Sequence, residues 1–427
     1  MRFGLSERRR AKAGLALSFC LLALLAIPIP AVSPWTAMWA APAILVAAML
    51  IAWAAESAQF FVAQGFALAI LAWLQTLPEF AVEFVLAWKQ HVDLLLANLT
   101  GSLRLLTGLA WPGIYLVAAV CHRHAHKRPL KRIRLEDEQC VEVVGLLLPL
   151  AYMFWVWAKG SLELADAAVL ILMYVAYLWV LRRMPPQEAE KAEDLERIPR
   201  SIVQARRSVR NAFIVGFFLS GGVLIYLSAE PFLASLLAIA TILGVPYFVF
   251  VQWLAPFISE FPEKVSAFYW ARTVDRASMG LMNMVSSNIN QWTLLAAMLP
   301  IVYSVSRGAP SAIVFDQRQS LELLMTLAQS LIGMFFLVNM ELAWWEATAL
   351  FSLWFTQFVF SPLPPGPGWL GFVARHVHWW VTVAYLVWSA VALVRMLMGR
   401  RRPEAFRCFV RAWRTHVRKP ARVSALR

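Results

Sequence analysis

The chain has 427 residues, of which 60% are hydrophobic, 15% are charged and 20 are tryptophan, and its net charge is +14. Soluble domains average about 25% charged residues, whereas charge-free runs such as Trp35 to Ala55, Asn211 to Ala229 and Ala277 to Ser306 reach the ~18 residues that crossing a bilayer requires. These figures exclude a soluble enzyme, a disordered chain, a secreted disulfide scaffold and an ordinary DNA-binding domain, and they predict an all-α polytopic membrane protein.

Twelve spans are predicted in chain order, near 13–32, 36–57, 62–88, 92–120, 140–158, 163–181, 211–240, 246–270, 277–305, 319–339, 343–361 and 372–397. The basic Arg8 to Lys12 ahead of the first run also fit a signal peptide. Pro34, just past Ala31-Val32-Ser33, argues instead for a retained helix. With the N-terminus set inside, 32 of the 39 Lys and Arg fall on inner segments. That bias supports a multi-pass protein of the cell (inner) membrane with both termini cytoplasmic. The net charge therefore reads as a topology signal and not as a nucleic-acid surface, and the basic stretch after Arg400 as its last anchor. Cys20, Cys121, Cys140 and Cys408 lack CxxC spacing, so no disulfide or zinc framework is expected. His122, His124 and His126 lie among basic residues and read as solvated charge.

Two places interrupt the apolar runs in the same way. One reads Leu74-Gln75-Thr76-Leu77-Pro78-Glu79 and the other Ile258-Ser259-Glu260-Phe261-Pro262-Glu263. Proline frees a backbone carbonyl one turn earlier, and such backbone persists in hydrocarbon only beside protein or a cavity. A carboxylate next to it costs several kcal/mol unless compensated, so both places are candidate sites. Each is followed by a polar helix, Asn98-Leu99-Thr100-Gly101-Ser102 and Asn283-Met284-Val285-Ser286-Ser287-Asn288. Glu79 precedes Ser102 by 23 residues and Glu263 precedes Ser287 by 24. Five spans separate the copies, and an odd separation turns the second upside down, the architecture of many secondary transporters.

These motifs resemble the two α-repeats of the cation/calcium exchanger superfamily, G-T-S-L-P-E followed by G-N-x-x-G-S-N-x-x-N. The lead-in Ile242-Leu243-Gly244-Val245-Pro246 is similar as well. The resemblance covers roughly residues 36–361. It implies two inverted five-helix repeats, 36–181 and 211–361, joined by a charged linker at 182–210. One extra helix lies in each terminal region, 1–35 and 362–427. It also implies a secondary cation antiporter, not an enzyme, carrying calcium or a similar divalent cation against sodium or protons without a cofactor. Carried over by position, Glu79 and Glu263 are the paired carboxylates, and Gln75, Thr76 and Ser259 supply flanking oxygen. Ser102 and Ser287 line neighbouring ion positions, and Asn98, Asn283 and Asn288 belong to the same polar helices. Two carboxylates and several neutral oxygens suit calcium, which takes 6–8 oxygen ligands.

Four positions depart from the family pattern. Leu106 and Gln291 stand where each second motif has its final Asn, and Glu260 replaces a hydroxyl residue. Arg104 lies mid-span, two residues past Ser102, and leaves two outcomes open. In one it takes the place of a sodium ion and leaves a divalent or proton-coupled exchanger. In the other it pairs permanently with a motif acid, giving a non-transporting binding or scaffold protein. Counting Glu83 and Glu260 with the motif acids sets four carboxylates against Arg104 and Lys264, a surplus that favours bound cations or protons.

Overall fold

The computed structural model describes residues 33–58, 76–184, 195, 197–363 and 366–418. The first predicted span and Gln75 lie outside the described residues. The rest is a helical bundle, taken here in chain order. Helix α1 is Ala37–Ala58, α2 is Leu77–Trp88, and α3 (Val92–Leu105) runs through a π-helical turn, Leu106–Ala110, into α4 (Trp111–His126). Strand β1 (Arg132–Arg134) leads to α5 (Cys140–Gly145) and α6 (Leu147–Lys159), then β2 (Ser161–Leu162) and α7 (Leu164–Leu181). After α8 (Arg197–Val203) comes α9 (Arg207–Leu243), followed by α10 (Tyr247–Ser259) and α11 (Phe261–Trp270). Helix α12 (Val274–Asn290) passes through a second π-helical turn, Gln291–Leu295, into α13 (Ala296–Arg307). Strand β3 (Ile313–Val314), α14 (Gln317–Leu337), β4 (Glu341–Ala343), α15 (Trp344–Phe360), α16 (Trp369–Leu397) and α17 (Glu404–Ala412) complete the chain.

Among the described residues, seven helical stretches are long and apolar enough to cross a membrane. The predicted span 13–32 and residues 62–75 of the third lie outside the described residues. Among the others, Glu260 splits 246–270 into α10 and α11. The Ser- and Asn-rich α12 lowers the hydropathy of 277–305, and α15 has 17 residues. Large apolar side chains such as Leu172, Leu219, Phe355, Trp379 and Val387 stand exposed on α7, α9, α15 and α16. In water that belt would be unstable, but in lipid it is the expected outer surface.

Two antiparallel ladders join loops that the predicted threading puts on the same side. Arg132–Arg134 pairs with Glu341–Ala343, and Ser161–Leu162 pairs with Ile313–Val314. Helices α1 and α9 pack closely where Gly221 meets Ile51 and the Ala47 carbonyl. Part of the 182–210 segment is folded: Ile202 of α8 packs with Leu50, Ala54 and Phe217. Beyond α16, Arg401 donates to the Phe336 carbonyl at 3.0 Å and pairs with Glu346 at 2.7 Å. The Ala405 amide donates to the Val338 carbonyl at 2.9 Å, so this basic segment is docked on the bundle.

Candidate functional site

Each Pro-Glu motif opens a helix. Thr76, ahead of α2, has φ −87° and ψ 0°, and Glu260, ahead of α11, has φ −94° and ψ 0°. Both lie in the sparsely occupied bridge region, where the chain changes direction before a proline enters the first helical turn. Glu79 and Glu263 consequently sit in the first turn of their helices, each 1% exposed. The positive end of a helix dipole favours a carboxylate there.

Side chains from both halves converge on these acids. Gln291 Nε2 donates to Glu79 Oε2 at 2.8 Å and to Glu260 Oε1 at 3.0 Å, linking the two motifs. The Ser102 hydroxyl donates to Glu260, and the Ser287 hydroxyl donates to Glu263. Asn290 Nδ2 reaches the Thr76 hydroxyl at 2.5 Å, and Asn98 Nδ2 donates to Glu83 at 3.1 Å. Lys264 pairs with Glu260 one turn away. The Ser259 hydroxyl instead turns back to the Pro256 carbonyl of its own helix, and Asn283 and Asn288 are buried on α12. Asn290 was not foreseen, although it lies two residues past Asn288 on the same polar helix.

The cluster is rich in acceptors. Glu79 Oε1, Glu83 Oε2 and Glu263 Oε2 are buried and lack a hydrogen-bond donor among the described residues, as do the side-chain oxygens of Asn98, Asn288, Asn290 and Gln291. Buried acceptors without donors are costly, and a cation satisfies them as well as a proton does. Among the described residues no three His, Cys, Asp or Glu side chains are grouped to hold a metal ion. An ion here would complete its shell with amide, hydroxyl and backbone oxygens.

Close helix packing brings the motifs together. A Cβ on Gly101 would stand 1.7 Å from the Gln252 carbonyl oxygen, so α3 and α10 touch backbone to backbone at that point. Gly280 plays the same part against the Ala267 carbonyl, at 2.8 Å. Each polar helix then carries a π-helical turn beginning at Leu106 or Gln291, the two positions at which the sequence departs from the Asn pattern. A π turn widens the helix by one residue, a feature frequent at functional sites.

Arg104 corrects the expectation that it pairs with a motif acid. Its Nη2 lies 2.6 Å from Glu322 Oε2 on α14, and it bonds to none of Glu79, Glu83, Glu260 and Glu263. The physical reason is helical phase: Arg104 is two residues, about 200°, round α3 from Ser102 and faces away from the motif acids. Four carboxylates therefore face one ammonium, that of Lys264, in the motif cluster. Glu322 had no sequence signal that marked it as a partner.

A family profile described as sodium/calcium exchanger protein matches residues 32–182 and 213–362. Among solved structures, the chain is similar to the H+/Ca2+ exchanger CAX at 32% identity, over 96% of this chain and 98% of that one, with a TM-score of 0.84. Its fold is also similar to that of YfkE, at 13% identity over 88% and 98% of the two chains and a TM-score of 0.55. For the sodium-calcium exchanger NCX_Mj the figures are 17%, 76%, 99% and 0.50. Among curated proteins, no sequence matched this chain.

Proposed function

The chain belongs to the sodium/calcium exchanger family, and we propose that it is a secondary active antiporter that exchanges calcium or a similar divalent cation for protons or sodium by alternating access. The observation that carries this reading is the motif cluster. Glu79 and Glu263 are buried, each keeps an oxygen without a donor among the described residues, and Gln291 ties Glu79 to Glu260 across the two motifs. Glu79, Glu263 and Glu260 supply the charge, while Thr76, Ser102, Ser287 and the amide oxygens complete the ligand set. Protonation of the same carboxylates offers a way to neutralise the site when the cation leaves. The name and 32% identity of CAX support protons as the counter-ion.

The two halves function as inverted repeats in a membrane-embedded protein whose termini face the cytoplasm. The matching bridge-region residues, the paired π turns and the same-side ladders support that arrangement. The scaffold alternative rested on an Arg104–carboxylate network; Arg104 does pair with a carboxylate, that of Glu322, but this pair leaves the motif acids open to an ion.

The test is calcium uptake into everted vesicles on imposing a pH or sodium gradient. Glu79→Gln, folded as judged by its elution and melting behaviour, is expected to abolish uptake. Uptake equal to that of the native chain would overturn the assignment.

A further inference from the structure

The second buried cluster has the make-up of a cation cage, and the cation in it is a side chain. Arg104 is fully buried on α3, and the groups turned towards its guanidinium are electron donors. Gln357 Oε1 of α15 accepts from Nη1 at 2.7 Å, and the Thr100 carbonyl accepts from Nε at 3.1 Å. Met325 Sδ lies 3.9 Å from Nη1, and the Trp253 ring of α10 presents its face at 4.9 Å. Glu322 Oε2, at 2.6 Å, supplies the negative charge. Helix α16 closes the cage, with His378 Nδ1 2.7 Å from Glu322 Oε1. This helix lies beyond the family-matched region, which ends at residue 362.

A buried carboxylate in hydrocarbon needs a counter-charge, and removing only one member of such a pair is strongly destabilising. In this cage the remaining ligands would be one carboxylate, an amide oxygen, a backbone carbonyl and an aromatic face. Those are groups that hold a small monovalent cation or a free guanidinium ion. We propose that Arg104 is a tethered counter-cation: it fills a latent monovalent-cation site around Glu322, separate from the Glu79–Glu263 cluster, and thereby frees that site from any need for a solution ion. The inference goes beyond the antiport reading and does not depend on it.

Heat stability of the purified full-length protein tests it without any transport. The chain, Arg104→Ala and Arg104→Ala/Glu322→Gln are melted in sodium chloride, in choline chloride of equal ionic strength, and in choline chloride with millimolar guanidinium. Arg104→Ala is expected to melt about 2 °C or more higher with sodium or guanidinium than in choline, as ligand linkage requires. The native chain and the double variant, which both retain the motif acids, are expected to shift less than Arg104→Ala in sodium and not at all in guanidinium. No cation response in Arg104→Ala, or the same response in all three proteins, overturns the proposal. Should Arg104→Ala yield no folded protein in choline, the double variant decides. Its recovery as a monodisperse protein supports a charge cage, and equal loss overturns it.

Discussion

Helix α3 carries two buried polar clusters on opposite faces, and they treat the same side chain in opposite ways. On one face Glu322 Oε2 meets Arg104 and Gln252, and His378 Nδ1 lies 2.7 Å from Oε1. On the other face Glu79, Glu83 and Glu263 have no counter-charge of their own among the described residues, and the ammonium of Lys264 pairs with Glu260. By this contrast, an intramembrane carboxylate is not in itself a candidate ion site. What matters is whether the protein has already supplied its counter-charge. Where it has, the acid holds helices together; where it has not, an ion or a proton must arrive from solution.

Breaking the satisfied cluster is expected to have the largest effect. Glu322→Gln leaves Arg104 as an unpaired buried cation and should cost about 3–5 kcal/mol of stability, read as a lowered melting temperature. Breaking the other cluster should act on the ligand instead. Glu263→Gln is expected to weaken calcium binding about 100-fold, roughly 2.7 kcal/mol, with little change in the melting temperature of the ion-free protein. If both variants lost only stability, the distinction between the clusters would fail. Gly101→Ala strikes the crossing on which both clusters depend, since the new methyl would meet the Gln252 carbonyl. It should cost about 1–3 kcal/mol and lower calcium affinity as well, as overpacking pushes α3 from α10. The smallest effect is expected at the surface, where Arg132 pairs with Glu341 at 2.7 Å with the arginine side chain 47% exposed. Arg132→Ala should leave the melting temperature nearly unchanged, and salt should erase any difference.

Much of this contrast was legible in the sequence, though unevenly. The Pro-Glu motifs and the polar helices after them were visible because proline and carboxylates are rare in apolar runs. Helix ends such as Val92, Lys159 and Leu181 follow from the hydrophobic pattern. The partner of Arg104 was hidden because Glu322 follows Asp316, Gln317, Arg318 and Gln319 and reads as the polar start of a span. Only tertiary folding brings it across 218 residues to Arg104. His378 was equally silent, since a histidine beside Arg375 and His376 looks like the edge of a helix. The π turns carry no composition signal, and strands of two or three residues are too short for an alternating pattern to show.

The two ladders also bear on how the molecule is assembled. Each stitches a loop of the first half to a loop of the second, while Gln291 and Asn290 cross to Glu79 and Thr76 in the interior. The peptide chain between residues 184 and 195 is therefore only one of several connections between the halves. Severed there, the fragments would still hold complementary strand edges and complementary halves of the candidate ion site. Produced as separate polypeptides, they are expected to associate into a working two-chain protein.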